Sequence, residues 1–214
     1  MTGHSEEQQD PSLYRTIARP AQAELRRERS LFLGRCARVE TVEAARAFIE
    51  EVSAAHRDAT HNCFAYRIGS PPRETVYYSD RGEPAGTAGK PILGAILHRA
   101  LTDVVVVVTR YFGGKRLGVR GLIEAYGQTA ALTLEKAGVV VQRRTAALVV
   151  RCPYRHYEAV LQLCRRYQAE WSAESFAEEV TLSVRLRPGD VEAFSRDLSA
   201  FALGRVTAAG SQSG

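Results

Sequence analysis

The stretch that most constrains this chain is Val104–Leu122, which reads VVVVVTRYFGGKRLGVRGL. Five consecutive valines predict a strand covered on both faces, because an uninterrupted apolar run suits a sheet buried between layers better than alternation does. The strand ends by delivering Arg110 and Tyr111. At Gly113 and Gly114 the chain can turn through conformations that a side chain forbids. A helix is predicted to begin near Gly118, with its unpaired amides and positive dipole end toward the same loop. Arg110, Lys115, Arg116 and Arg120 surround that loop, and no acid lies among them. A covered strand, a glycine turn, a helix start and four cations predict a site for phosphate or another anion. It is not a Walker loop, because the GxxxxGK[ST] order is absent.

Charge sharpens the expectation. Residues 145–214 hold eight arginines, no lysine and eight acids, so the formal excess of +5 belongs to the first 144 residues. Steering of an anionic partner is therefore expected from the N-terminal part, the bland alternative being a solvated basic face. No apolar run approaches the roughly 18 residues of a membrane helix. The polar, acidic start, MTGHSEEQQDPS, is unlike a secretory signal. A cytoplasmic protein is expected. Cys36, Cys63, Cys152 and Cys164 show neither a CxxC pair nor zinc spacing and are expected as free buried thiols. Nothing calls for a metal or a cofactor.

Residues 1–12 are expected as a disordered tail, 13–143 as a first domain and 144–214 as a second. In the first, Tyr14–Glu24 and Ser30–Val39 read as strands joined by the turn RRER, and Thr41 as the N-cap of a helix over Val42–Ala55. Cys63–Ile68 and Thr75–Tyr78 read as strands, and Tyr77 and Tyr78 should then point to opposite faces, leaving one exposed. The segment SDRGEPAGTAGKP is too rich in Gly and Pro to be regular. Pro91 suits the first turn of a helix running to about Ala100, and Gly138 should end the helix near Val119–Ala137. The second domain reads strand Ala147–Cys152, helix Tyr154–Tyr167, strands Glu170–Phe176 and Glu179–Arg187, helix Val191–Phe201 and strand Leu203–Thr207. That β-α-β-β-α-β order is the ferredoxin-like pattern.

Beside the basic loop stands a second set of polar residues, His61, Asp80, Glu83 and Thr87, with Arg110. A histidine and two carboxylates in a glycine-rich setting could hold a ligand or move a proton. The structural alternative is turn chemistry at Asp80, a cap or an Arg110 partner in Glu83, and loop amides satisfied by the segment around His61. No nucleophile with a nearby base can be assembled, so no enzyme is expected. Tyr111, Phe112 and Tyr126 would offer stacking surface to a single strand, although Phe112 is expected in the core.

Three segments resemble one family: DATHNCFAYRIG at Asp58–Gly69, SDRGEPAGTAGKPIL at Ser79–Leu93, and the valine stretch. Together they resemble the N-terminal domain of the IMPACT/YigZ family from about Ser30 to Ala137, and the remainder resembles the smaller C-terminal domain of its bacterial members. The resemblance implies an α+β chain of two domains. The first would be similar to domain two of small-subunit ribosomal protein S-five and the second ferredoxin-like, a pair similar to the two C-terminal domains of the translocating elongation factor. Eukaryotic relatives regulate translation by binding a ribosome-associated activator of a starvation kinase. They carry an additional RWD domain for which the residues before Ser30 are too few, so kinase regulation is not carried over. Arg120 stands where the family usually has glycine, and Lys115 where it often has a neutral or apolar residue. The leading expectation is a translation-associated protein that binds RNA, the ribosome or a ribosome-associated partner through the basic loop. The alternatives are a small-molecule or metal-dependent enzyme at His61, Asp80, Glu83 and Arg110, and a protein-interaction module.

Overall fold

The computed structural model describes residues 12–69, 73–176, 179–200 and 205–208. Contacts divide the chain into one unit over Tyr14–Gln142 and another built on the residues from Arg143 onward. It is an α+β chain of two domains.

The larger unit begins with β1 (Leu13–Ile17), β2 (Ala21–Arg27) and β3 (Ser30–Arg38). One strand was expected over Tyr14–Glu24, and two are found. Pro20 has no amide proton and restricts the residue before it, so the chain leaves one sheet at Ala18 and enters another at Ala21. Helix α1 (Val42–Ala55) follows, capped by Thr41, whose Oγ1 accepts from the Ala44 amide at 3.1 Å. Then come β4 (His61–Ile68), β5 (Thr75–Ser79), α2 (Gly89–His98), β6 (Val104–Tyr111), α3 (Gly118–Ala137) and β7 (Val139–Arg143). Helix α3 stops at Gly138, whose φ of 69° is left-handed.

Strands β2-β3-β6-β4-β5 form one sheet in that order, and every neighbouring pair is antiparallel. Strands β1 and β7 pair separately. The valine strand is central and buried on both faces. Val104, Val106 and Val108 pack with Ile92, Ile96, Ala125, Tyr126 and Leu134 of α2 and α3. Val105 and Val107 pack on the other face with Ile49 and Val52 of α1. Period-two alternation thus feeds two cores from one strand, each buried valine contributing about 1.5–3 kcal/mol. Strand β5 is an edge, so both Tyr77 and Tyr78 are exposed rather than one of them.

The smaller unit runs β8 (Ala146–Pro153), a 3-10 turn at Tyr154–His156, α4 (Tyr157–Arg166), β9 (Glu170–Phe176), β10 (Glu179–Leu186), a 3-10 turn at Pro188–Asp190, α5 (Val191–Ala200) and β11 (Arg205–Ala208). The sheet order β11-β8-β10-β9 is ferredoxin-like. Its core joins Val150, Val180, Leu182 and Val184 to Val160 and Cys164 of α4 and Phe194 and Leu198 of α5. The expected strand residues Leu203 and Gly204 lie outside the described residues, as does the expected tail apart from Ser12. The Ser12 carbonyl accepts from the Arg144 amide at 2.7 Å.

Candidate anion-binding surface and its buried neighbour

Arg110 is in phase with Val108 on β6, so its side chain enters the layer between the sheet and helices α2 and α3. A guanidinium buried there needs a partner, since an unpaired buried charge is very costly. Glu83 supplies it, with Arg110 Nη1 donating to Glu83 Oε1 at 2.7 Å. The Tyr126 hydroxyl donates to the same oxygen at 2.8 Å, and the Cys63 thiol donates to Tyr126 at 3.5 Å. His61 Nε2 lies 3.9 Å from the other Glu83 oxygen, while its Nδ1 is 2.9 Å from the Arg81 carbonyl oxygen. Phe32 and Phe112 sit beside the guanidinium, at 5.6 and 5.4 Å. Phe112 is 46% exposed, not in the core, because it lies past the end of β6 as an outer cover for Arg110. Burial pushes the Cys63 thiol up to about 12 and also raises the Tyr126 hydroxyl, so both stay protonated donors.

Asp80 does different work in the same loop. Its carboxylate accepts from the amides of Gly86, Ala88 and Gly89 at 2.8, 2.9 and 2.8 Å. Helix α2 lacks a cap from the side chain of Ala88, and Asp80 supplies the negative end from outside. Burial would raise this carboxyl, yet the three amide donors outweigh it and hold the group below its ordinary value. Thr87 is buried and donates to the Pro84 carbonyl at 2.7 Å. The loop therefore brings His61, Glu83 and Arg110 together, while Asp80 and Thr87 are occupied in shaping it. Tyr111 turns the other way: its hydroxyl donates to Asp58 at 3.1 Å, and burial followed by that carboxylate raises it.

The remaining cations stay at the surface. Lys115 is 61% and Arg120 93% exposed, and Arg116 is exposed too. Acids do reach this group, from elsewhere in the chain. Lys115 pairs with Glu28, and Glu124 bridges Arg120 at 2.9 Å and Arg27 at 2.7 Å. Those cations draw Glu28 and Glu124 below the usual carboxylate range, the Lys115 and Arg120 hydrogen bonds leading. Among the described residues Arg116 makes no ion pair.

Gly113 explains how the site is assembled. A Cβ there would stand 1.9 Å from the Arg29 carbonyl oxygen, so glycine is needed for close approach and not for conformation. Gly114, at φ 85°, is the position where the left-handed turn is made. This approach seats the basic loop on the β2–β3 turn, and the Gly113 amide donates to Ser30 Oγ at 3.3 Å. The turn is shorter than the expected RRER: Arg26 and Arg27 end β2, and only Glu28 and Arg29 make the turn. Glu28 and Arg29 both have positive φ, 46° and 67°. Two-residue hairpin turns of that shape ordinarily use Asn-Gly, so charged residues are retained here against backbone strain. The two segments together present Arg27, Arg29, Lys115, Arg116 and Arg120 against Glu28 and Glu124, while Arg26 lies on the opposite face of β2 and pairs there with Glu24. The start of α3 adds amides with no side-chain cap and no acid in the first turn.

Among known proteins, the Impact N-terminal domain matches residues 28–134, and a domain of unknown function, DUF1949, matches residues 150–205. An IMPACT family member of Haemophilus influenzae is 37% identical over 182 residues, covering 84% of this chain and 87% of the relative. IMPACT family member YigZ of Escherichia coli is 35% identical over 182 residues, covering 84% and 88%. A crystal structure of a hypothetical protein superposes with a TM-score of 0.67 at 30% identity, covering 94% of this chain and 99% of that one.

Proposed function

The chain belongs to the IMPACT family, and from that membership we propose that it is a cytoplasmic, translation-associated regulator that docks on RNA or the ribosome. The larger unit supplies the docking surface through Lys115, Arg116 and Arg120, joined by Arg27 at the end of β2 and Arg29 in the β2–β3 turn. The observation that carries this reading is the meeting of two basic segments about 85 residues apart in sequence at the Gly113–Arg29 contact. Five cations against two acids on one surface suit a polyanion, and flexible exposed cations suit phosphate rather than base edges. Binding is accordingly independent of sequence. Arg110 serves by holding the loop, paired with Glu83 beneath it. The smaller unit orients the larger one or contacts a protein. No helix among the described residues is long and apolar enough to cross a membrane.

Sedimentation of the protein with ribosomes and structured RNA across a salt series tests this. Binding should weaken steeply with salt, with a slope set by three or four phosphate contacts. Lys115→Glu with Arg116→Glu should abolish it, and Arg27→Glu with Arg29→Glu should weaken it. Binding that is absent at low salt, or unchanged by both charge reversals, overturns the proposal.

A further inference from the structure

The α1 face of the larger unit has an opening of its own. A groove of about 330 Å³ lies between α1 and the strands β4 and β5. Its floor is aromatic: Tyr77 stacks on Tyr66 at 5.8 Å and 29°, and its ring is tilted 31° at 6.0 Å from Phe64. Phe64 and Tyr66 are buried, whereas Tyr77 is 54% exposed. The stack therefore ends in a ring that solvent still reaches.

Charged groups rim this floor without neutralising one another. Arg46 and Glu50 stand one turn apart on α1, where opposite charges ordinarily pair. Both line the groove, and among the described residues neither makes an ion pair. Arg81 is likewise without an ion pair and lies 5.2 Å from the Phe64 ring. Its φ of 43° is left-handed. Contact between its carbonyl and His61 Nδ1, and the close packing of Gly82 on that imidazole, keep it there. Backbone strain is thus held at the residue that sets a guanidinium over the aromatic floor.

We infer that this groove is a nucleobase-stacking site for one nucleoside phosphate unit. The base lies on Tyr77, the phosphate is gripped by Arg46 and Arg81, and Glu50 accepts from an exocyclic amine. Every base has a π face, so a tyrosine stack receives any of them, and forked guanidinium donors match phosphate oxygens. The volume sits at the lower end of small-molecule sites, suited to a single unit. An extended peptide adding to the β5 edge would draw on backbone groups and would need no arginine pair. The unit can come from a free nucleotide or from single-stranded RNA. The site does not depend on the basic surface, because β2 and β5 are opposite edges of a five-stranded sheet, roughly 19 Å apart. A mononucleotide cannot touch both.

The test is calorimetric titration of adenosine 5′-monophosphate, and separately of octa-adenylate RNA, into the full-length protein. The same titrations use Tyr77→Ala, Tyr77→Phe and the double variant Arg46→Glu/Arg81→Glu, each checked for a native thermal transition. Saturable binding at one site should weaken roughly tenfold or more in Tyr77→Ala. It should persist in Tyr77→Phe and vanish in the double variant. Binding of the mononucleotide identifies a free-nucleotide site, and binding of octa-adenylate alone identifies an RNA site. Either supports the inference. Binding of neither probe overturns it, as does binding that both Tyr77→Ala and the double variant leave intact. Loss of octa-adenylate binding in Lys115→Glu/Arg116→Glu alone would refute the groove and leave the basic surface standing. An acidic peptide that slows hydrogen exchange along β5, where adenosine monophosphate does nothing, would assign the groove to peptide and refute the inference too.

Discussion

Arg110 and Arg120 flank one loop at a spacing of ten residues, and they occupy opposite electrostatic worlds. The Arg110 side chain is 7% exposed and meets Glu83 at 2.7 Å inside the core, while that of Arg120 is 93% exposed and meets Glu124 at 2.9 Å in water. The distances are nearly the same and the consequences are not. Inside, each charge depends on the other, because removing one leaves the other buried and unpaired. Outside, solvent and salt replace the partner with little loss. An arginine count along a sequence therefore does not say how many charges a polyanion can reach.

The sharpest way to break the comparison is Glu83→Ala. It should cost about 3–5 kcal/mol, read as a lowered midpoint in chemical denaturation. Replacing both partners, Glu83→Leu with Arg110→Met, should recover much of that loss. A midpoint shift as small as that of a surface pair would remove the distinction.

Asp80→Asn comes next, at about 1–2 kcal/mol for a weakened helix N-terminal cap. Because the native carboxyl titrates below its ordinary value of about 3.9, its contribution is fully present above that value. It is lost as pH falls through the lower native one. The stability gap between the two proteins should therefore hold at neutral pH and close on acidification below about pH 4.

The β2–β3 turn should respond with the opposite sign. Glu28→Asn with Arg29→Gly relieves two left-handed non-glycine residues and should stabilise by about 1–2 kcal/mol. The same change should weaken sedimentation with ribosomes, since Arg29 is lost. A gain in stability without a loss of binding would take the turn out of the proposed surface.

The smallest change in stability belongs to Arg120→Ala, whose denaturation midpoint should match the parent. Its effect should appear in binding alone, as a fall of about 0.7–0.9 in the log–log salt slope for each phosphate contact removed.

How far these features could be read from the residues depended on the range of the interaction. Thr41, Gly138 and the valine strand act through local geometry, and all three stand where pattern placed them. The βαββαβ order of the smaller unit was legible for the same reason. Pro20 carried a readable signal that its neighbours masked, since the surrounding residues alternate well enough to suggest one unbroken strand. The Gly113–Arg29 contact had no local signature at all. It follows from the register that places Leu31 beside Tyr111, and register lies between strands rather than along one. The pairing of Glu83 with Arg110 was foreseeable as one option, but its burial required knowing which face of β6 Arg110 takes.

The central place of the valine strand also bears on how a growing chain becomes a protein. Strands β3 and β4 both wait for β6, which follows them in sequence by more than 30 residues. Until residue 111 has left the synthesising machinery, this sheet can pair only within two separate hairpins, β2–β3 and β4–β5, with no strand to join them. Such non-local pairing makes assembly slow and concentrates it in one late step. The larger unit is therefore expected to close almost at once when its sixth strand slots between the third and the fourth.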